Sequence, residues 1–218
     1  MVKNWLSKKI TRGYQLEFIK KHCSSKRTLD LGSSKSPYSE YFPNRTSCDI
    51  EKREGVDVVA DAHKLPFEDS EFSVIVCTEV LEHLHSPHIA IKEMHRVLEP
   101  GGTLLLTTRF VFPIHDAPHD YYRYTEFGMK HLFKDGWSIE SIEPETRNFE
   151  TIAVLVQRIG YQTTLRGGIF TKAIVLLSAK FISSLGWLVI KESGINDPDR
   201  SYPCNIFASG YFLKATKK

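Results

Sequence analysis

The sequence predicts one α/β domain built on a doubly wound, mostly parallel sheet of seven strands. Short apolar segments alternate with segments of helical spacing, as expected where helices connect parallel strands. Several apolar segments end in an acidic residue, which is typical of the sheet edge where ligands bind. With 218 residues, of which 41% are hydrophobic and 25% charged, the chain can bury the core of such a domain.

Charge and cysteine content argue against several functional classes. The net charge is +3 and the basic residues are scattered, so we predict no nucleic-acid partner. The four cysteines lie far apart without metal-type pairing, which favours reduced thiols and a cytoplasmic location. The N-terminus lacks the continuous apolar core of a secretory signal, so we expect no export.

An amphipathic helix is predicted within residues 1–24, because apolar residues recur at helical spacing among basic ones. These are Trp5, Leu6, Ile10, Tyr14, Phe18 and Ile19. We interpret the helix as a cap on the sheet. Contact with substrate or with an anionic membrane surface stays open as the alternative.

The segment from Arg27 to Phe42 predicts a strand, a tight loop and a helix. The strand carries Asp30, and the loop that follows consists mostly of small residues, starting at Gly32. Small residues let a ligand approach the backbone closely. A candidate site therefore begins at this loop.

Three further strands are predicted at 46–50, 56–60 and 72–77. Asp49 lies 19 residues after Asp30, the distance at which an acidic residue often binds ribose hydroxyls. Asp61 and Glu79 follow the next two strands. Because parallel strands end at one edge, we expect these four acids to converge there.

The middle of the chain predicts one helical turn, a break at Ser86-Pro87 and a longer helix that stops at 99–102. A fifth strand follows at 103–108, another at 136–139 and a last one at 206–213. The last strand is expected to be antiparallel. This gives the seven strands of the predicted sheet.

Five separated motifs within residues 25–142 resemble the class I S-adenosylmethionine-dependent methyltransferases. They are Asp30-Leu31-Gly32, Cys48-Asp49-Ile50, Ala60-Asp61-Ala62 with Leu65-Pro66-Phe67, Glu79-Val80-Leu81-Glu82-His83, and Arg96 to Gly102. The resemblance is specific because all five agree in order and spacing. It implies a Rossmann-like fold, methyl transfer and S-adenosyl-L-methionine as cofactor.

The resemblance also assigns cofactor-binding residues. Asp30, Gly32 and Ser34 would hold the methionine end, Asp49 with Ile50 the ribose side, Asp61 and Ala62 the adenine, and Thr78 and Glu79 the methionyl side near the methyl group. Ser34 and Ser36 replace glycines that are usual in this loop. Serine is small, but it adopts positive φ less readily than glycine.

The segment from Arg109 to Phe127 is rich in histidine, aspartate and tyrosine, and it follows the fifth strand. Removal of a proton from an acceptor hydroxyl needs a base. We predict His119 with Asp120 nearby, and His115 as the other candidate. The alternative is a lid in which these residues only pack. A metal site from the same residues rests on weak spacing, so we assign no metal ligands.

Part of this segment resembles methyltransferases associated with bacterial cell-surface polysaccharide synthesis. The resemblance implies O-methylation of a sugar or glycolipid hydroxyl, since aromatic faces suit sugar rings. A small phenolic or quinone-like acceptor is the chemically related alternative. A non-catalytic binding or scaffolding module, permitted by the serine-substituted loop, is the rival from another class.

Residues 150–192 predict a helical insertion, and 169–190 are strongly apolar with Lys172 and Lys180 inside. We favour a buried or homodimer-forming helix over an in-plane membrane contact, and both over a span. An in-plane contact would place the cytoplasmic protein at the inner face of the membrane. Residues 204–218 are expected to form the final strand and a basic tail.

Overall fold

Seven strands form one sheet in the computed structural model, which describes residues 8–33, 37–190, 192 and 206–218. The strands are β1 (Thr28–Leu31), β2 (Arg45–Asp49), β3 (Val58–Val59), β4 (Phe72–Thr78), β5 (Leu98–Arg109), β6 (Trp137–Pro144) and β7 (Gly210–Lys217). Their order is β3-β2-β1-β4-β5-β7-β6. The predicted seven-stranded, doubly wound sheet is confirmed.

The first five strands are parallel neighbours. Two hydrogen bonds flank the pair of strands β7 and β6 at the other side of the sheet. The Lys218 N–H donates to Gly136 O, whereas the Glu145 N–H donates to Gly210 O. Since opposite ends of the two strands meet, β7 runs antiparallel to β6. An antiparallel last strand is therefore present.

The described residues contain five α-helices. They are α1 (Ile10–Lys21), α2 (Pro87–Val97), α3 (Glu126–Leu132), α4 (Asn148–Gln162) and α5 (Gly168–Ser183). Of the predicted N-terminal helix, residues 1–7 lie outside the described part and α1 accounts for the rest.

The described chain divides into two compact units. The larger holds Gln15–Phe110, Ile114–Glu143 and Tyr211–Lys218, and the smaller holds Val111–Pro113, Pro144–Gly210 and the described residues up to Tyr14. The division of the chain into a cofactor-binding core at 25–142 and a helical insertion at 150–192 stays a prediction.

The core of the larger unit lies around the central strands. All four residues of β1 are buried, and Ile75, Val76 and Cys77 of β4 are fully buried. Strands covered on both faces are apolar along their whole length, which explains the unbroken runs in the sequence.

The helix predicted after the first loop is wrong for the described residues. Only one 3-10 turn, Ser39–Tyr41, follows the loop. Pro43 comes directly afterwards and cannot continue a helix, because it lacks an N–H and clashes with the preceding turn. Tyr38 and Phe42, which supplied the helical spacing, are both buried.

Two other boundaries differ from the sequence prediction. β5 begins at Leu98 instead of residue 103, with Gly101 at φ +76° within it and a register shift against β4. β7 covers Gly210–Lys217, so the predicted basic tail is largely strand. Pro87 does occupy the first turn of α2, as predicted, although Ser86 makes no side-chain cap.

In the smaller unit, α5 packs against α4 but leaves five apolar residues exposed, Ile169, Phe170, Ile174, Leu177 and Phe181. Its buried residues are Leu176 and Ala179, whereas Phe170 is 80% exposed. Of the predicted buried or homodimer-forming helix, burial is therefore wrong, because the apolar residues surround the helix and α4 covers one side. Formation of a homodimer stays a prediction. Gly168–Leu188 is long and apolar enough to cross a membrane by length and composition.

Candidate functional site

The strand order brings the predicted site residues of the larger unit to one edge. Leu31 lies beside Cys48 on one side and beside Cys77 on the other. The residues that follow, Gly32, Asp49 and Thr78, therefore leave the sheet at the same edge. This register therefore brings the ends of β1, β2 and β4 together, as expected for parallel strands.

The first loop turns tightly at Gly32. Gly32 has φ +72°, and a Cβ there would lie 2.1 Å from Cγ2 of Val80. The N–H groups of Gly32 and Ser33 both donate to Cys48 O, at 2.8 and 3.2 Å. The predicted Ser34, together with Ser36, lies outside the described residues.

Ser33 adds a polar group that the sequence prediction missed. Its hydroxyl is buried, and no described residue forms a hydrogen bond with it. Buried hydroxyls nearly always have a hydrogen-bond partner. The first loop thus offers a polar group to a ligand.

Asp30 has a partner within the sheet. Its Oδ2 accepts a hydrogen bond from Arg45 Nη1 at 3.0 Å, and its side chain is 5% exposed. The ion pair joins β1 to β2. The predicted contact of Asp30 with the cofactor stays a prediction.

Asp49 and Ile50 form a polar and apolar pair at the end of β2. The Asp49 carboxylate accepts from the Glu51 N–H at 3.0 Å, and Ile50 is 68% exposed. A carboxylate suits hydroxyl groups, and an exposed apolar side chain suits the face of a flat ring. Together they fit a nucleoside.

Asp61 begins a turn after β3, next to the buried Ala62. Its Oδ1 accepts hydrogen bonds from the His63 N–H at 2.9 Å and from His63 Nδ1 at 2.6 Å. The backbone hydrogen bond is the main reason that the pKa of Asp61 is lowered. His63 in turn stacks on His85 with ring centres 4.2 Å apart.

Thr78 and Glu79 lie at the end of β4. Thr78 Oγ1 is 2.8 Å from the hydroxyl of Tyr38. Glu79 has φ +58°, accepts a hydrogen bond from Thr107 Oγ1 at 3.0 Å and forms an ion pair with Arg109. β5 therefore holds the Glu79 carboxylate at the predicted edge.

The segment after β5 is fastened to the 3-10 turn Leu81–His83 within the larger unit. The N–H groups of Tyr121 and Tyr122 both donate to Glu82 O, at 2.9 and 3.2 Å. The hydroxyl of Tyr124 donates to Leu81 O at 3.2 Å. These bonds bring the histidines of the segment next to Glu82 and His83.

Of the two predicted histidines, His115 is the one beside Asp120. Asp120 Oδ2 accepts from the His115 N–H at 2.9 Å and lies 3.5 Å from His115 Nδ1. Hydrogen bonds from Arg123 are the main reason that the pKa of Asp120 falls to about 2. Burial lowers the pKa of His115.

His119 is exposed, and its Nδ1 lies 3.1 Å from the hydroxyl of Tyr121. The Asp120 carboxylate contacts that the structure describes go to His115 and Arg123. The structure thus does not place Asp120 as the orienting partner of His119, because Asp120 is held by the charge of Arg123. The role of His119 as a base stays a prediction.

Sequence reasoning treated Glu82 and His83 only as parts of a motif. Glu82 is fully buried, and Thr108 Oγ1 donates to its Oε2 at 2.8 Å. Burial, aided by the nearby charge of Glu79, raises the pKa of Glu82. The sequence did contain a signal for these two residues, because Glu82 and His83 are adjacent and lie three and four positions after the predicted site residue Glu79.

Comparison with known proteins matches residues 29–106 to a family described as "Methyltransferase domain". An uncharacterized protein of Methanocaldococcus jannaschii is 30% identical over 100 residues, which are 42% of this chain and 49% of that protein. The ubiquinone/menaquinone biosynthesis C-methyltransferase UbiE of Neisseria meningitidis is 40% identical over 68 residues, 30% of this chain and 27% of UbiE. The chain thus spans half or less of the length of these relatives.

Solved structures share the fold over nearly the whole chain. The [4+2]-cyclase SpnF has a TM-score of 0.58 at 16% identity, covering 95% of this chain and 81% of SpnF. The 1,6-didemethyltoxoflavin-N1-methyltransferase of Burkholderia thailandensis, with bound 1,6-didemethyltoxoflavin and S-adenosylhomocysteine, has a TM-score of 0.56 at 12% identity. That match covers 98% of this chain and 80% of the enzyme.

Proposed function

We propose that this chain, whose residues 29–106 match a methyltransferase domain, transfers a methyl group from S-adenosylmethionine to a hydroxyl of a sugar or glycolipid precursor. The acceptor oxygen would attack the methyl carbon, the carbon–sulfur bond would break, and S-adenosylhomocysteine would leave. In such a displacement the enzyme mainly supplies positioning and removes the hydroxyl proton.

One observation carries the cofactor assignment. Within the matched residues, the tight turn at Gly32, the Asp49–Ile50 pair and Thr78 leave adjacent parallel strands at one edge. Ligands of open α/β sheets bind at that edge. The buried Ser33 hydroxyl lies in the same loop and would meet the cofactor there.

Titration of the purified chain with S-adenosylmethionine and with S-adenosylhomocysteine tests this proposal. We expect about one site per chain at micromolar strength, about −8 kcal/mol. Asp49→Asn should weaken binding, whereas Glu54→Gln, an exposed acid near the same strand, should not. Absence of binding at millimolar ligand would overturn the cofactor assignment and favour a scaffolding role.

Aromatic side chains support the sugar acceptor. Tyr121, Tyr122 and Phe127 are partly exposed on the same segment as His119. Aromatic faces pack on the apolar faces of sugar rings, while polar side chains bind the hydroxyls. Formation of S-adenosylhomocysteine with nucleotide sugars or glycolipid precursors as acceptors would test this assignment.

The similarity to UbiE favours a second acceptor class, a small phenolic or quinone-like ring. The same tyrosines could stack on such a ring. Turnover of phenols with none of sugars would replace the first acceptor by the second. SpnF, a cyclase with the same fold, shows that the fold alone does not fix the reaction.

We also propose that α5 lies in the plane of a membrane surface, at the inner face of a cytoplasmic membrane. Phe170 and Phe181 are mostly exposed, and Trp187 follows in the next turn at 79% exposure. Lys172 and Lys180 are the only charged residues of Gly168–Leu188. Lysines can extend their amines to the headgroups while apolar side chains enter the interface.

Flotation with vesicles of phosphatidylglycerol and phosphatidylcholine tests the membrane contact. We expect binding to vesicles with the anionic lipid and loss of binding in Phe170→Ser/Phe181→Ser. Ile114→Ser, which changes an exposed apolar residue outside α5, is the control. A homodimer in solution that does not bind vesicles would assign α5 to self-association instead.

A further inference from the structure

A cluster of three side chains lies next to the candidate cofactor edge. Glu82, His83 and His115 each offer one ligand atom, and these atoms lie within 4.8 Å of one another. Glu82 Oε1 and His115 Nε2 are 3.8 Å apart, and the two imidazole rings meet edge to face at 4.7 Å. Atoms that share a metal ion at about 2.1 Å can be up to about 4.2 Å apart, so small side-chain shifts close the site.

Glu82 supplies the first independent indication of a ligand. Its carboxylate is fully buried, and its Oε2 accepts from the Thr108 hydroxyl. Its other oxygen, Oε1, has no hydrogen-bond partner among the described residues. A buried carboxylate oxygen without such a partner is costly, and it faces the two imidazoles.

His83 is held in the tautomer that a metal ligand needs. Its Nδ1 lies 2.7 Å from the backbone carbonyl oxygen of His119. A carbonyl only accepts, so Nδ1 carries a proton, and the neutral ring has its lone pair at Nε2. Such a hydrogen bond to the second ring nitrogen is the usual support of a metal-binding histidine.

A carboxylate also lies beside His115, at ion-pair distance from its ring and hydrogen-bonded to its backbone. Asp120 Oδ2 lies 3.5 Å from its Nδ1 and accepts from its backbone N–H. Arg123 binds both oxygens of Asp120, each at 2.6 Å, and fixes its orientation. The Nε2 of His115 is left on the side of Glu82.

The nearby arginines are engaged by other carboxylates. Arg109 forms its ion pair with Glu79, and Arg123 forms its pair with Asp120. Among the described residues, neither arginine forms an ion pair with Glu82, and the charge of Arg109 only partly opposes the rise in the pKa of Glu82. A metal ion would supply a positive charge in direct contact with the Glu82 carboxylate.

We propose that Glu82, His83 and His115 bind a divalent transition-metal ion with coordination positions left open. Two imidazoles and one carboxylate suit zinc, manganese, cobalt or iron(II) better than magnesium or calcium, which prefer oxygen ligands. The loop segment and the 3-10 turn Leu81–His83 form the site jointly, through the bonds of Tyr121 and Tyr122 to Glu82 O.

The use of this ion rests on the proposed methyl transfer. An acceptor hydroxyl bound at an open position would lose its proton to water more readily, because the metal stabilises the oxygen anion. That oxygen would then bond to the methyl carbon. The electron pair of the broken carbon–sulfur bond would stay on sulfur.

Metal uptake by the purified full chain tests the proposal. After removal of metal with a chelator, the protein is titrated with Co²⁺, followed by visible absorption, and with Zn²⁺, followed by calorimetry. We expect about one ion per chain. Glu82→Gln and His115→Asn should each weaken binding at least about tenfold.

His83→Asn removes the proposed metal ligand and preserves the contact that supports the fold. The asparagine amide can replace Nδ1–H as donor to His119 O, but it offers no ligand atom in place of Nε2. His88→Ala, an exposed histidine of α2, is the matched control. Equal binding by wild type and all three ligand variants, or no uptake by wild type, would overturn the site. S-adenosylmethionine binding measured in parallel separates this outcome from failure of the proposed function.

Discussion

The Asp120 carboxylate is bound to His115, with Oδ2 2.9 Å from the backbone nitrogen and 3.5 Å from Nδ1. Arg123 holds the same carboxylate through two short hydrogen bonds. The side chain that would orient a catalytic imidazole thus supports the histidine next to Glu82. His119, four residues after His115, is exposed, and its Nδ1 lies 3.1 Å from the hydroxyl of Tyr121.

The turn at Gly32 should tolerate no side chain. In Gly32→Ala the new Cβ would meet Val80 Cγ2 at 2.1 Å, and alanine is strained at φ +72°. We expect a loss of at least about 2 kcal/mol in the free energy of unfolding. Urea unfolding measures this loss as a lower midpoint concentration at an unchanged slope m.

Gly13→Ala is the matched control for that experiment. Gly13 lies within α1, where a Cβ meets no atom within 4 Å. Alanine favours helix over glycine by up to about 1 kcal/mol, so this variant should be slightly more stable than wild type. If both variants unfold at the same urea concentration, the close approach of Val80 does not constrain the loop.

Asp57 should contribute stability that disappears in acid. Ser47 donates to its carboxylate from both the backbone N–H and the hydroxyl, each at 2.8 Å. The backbone hydrogen bond is the main reason that the pKa of Asp57 is lowered. Asp57→Ala should lower the free energy of unfolding by about 1 kcal/mol near pH 7.

The direction of the pH effect follows from the lowered pKa. The ionised carboxylate stabilises the folded state above the pKa of the unfolded chain, about 3.9, and this stabilisation is lost as pH falls through the lower folded pKa. The difference between wild type and variant should therefore be full above about pH 5 and shrink below about pH 4. Asp135→Ala, at an exposed aspartate, should show no such difference.

Arg96 should stabilise the loop that carries Asp61. Its guanidinium donates to the backbone carbonyls of Leu65 and Phe67, at 2.9 and 2.7 Å, and to Glu93 and Asp69. Arg96→Met would leave both carbonyls without this donor, and we expect a loss of about 2 kcal/mol by thermal unfolding.

The exposed pair of Arg53 and Glu51 provides the comparison for Arg96. Exposed ion pairs contribute little to stability, so Arg53→Met should leave the melting temperature nearly unchanged. Similar losses in the two variants would mean that the bonds of Arg96 to the backbone carbonyls do not hold the loop.

The fold and the edge proposed for the cofactor could be predicted because each depends on short segments of the sequence. Asp49 and Thr78 each follow an apolar strand, and parallel pairing alone brings such ends together. The helix after the first loop was mispredicted because the spacing of Tyr38 and Phe42 reflects burial in a short turn, while Pro43 ends it.

The contact between His115 and Glu82 could not be predicted from spacing. It depends on hydrogen bonds from the backbone of Tyr121 and Tyr122 to Glu82 O, and backbone bonds leave no pattern in side chains. The exposure of α5 could not be predicted for a different reason. Its apolar residues surround the helix, so periodicity gives no buried face.

Two variants distinguish the roles of the histidines in turnover. His119→Ala should leave the affinity for S-adenosylmethionine unchanged and abolish turnover if His119 removes the acceptor proton. His115→Asn should also reduce turnover while sparing cofactor affinity, but its defect should be accompanied by lost Co²⁺ binding. Release of S-adenosylhomocysteine with an acceptor that wild type methylates is the measurement. If His119→Ala retains full activity while His115→Asn loses it, the exposed imidazole of His119 is not the base. Removal of the acceptor proton would then depend on the cluster of Glu82, His83 and His115.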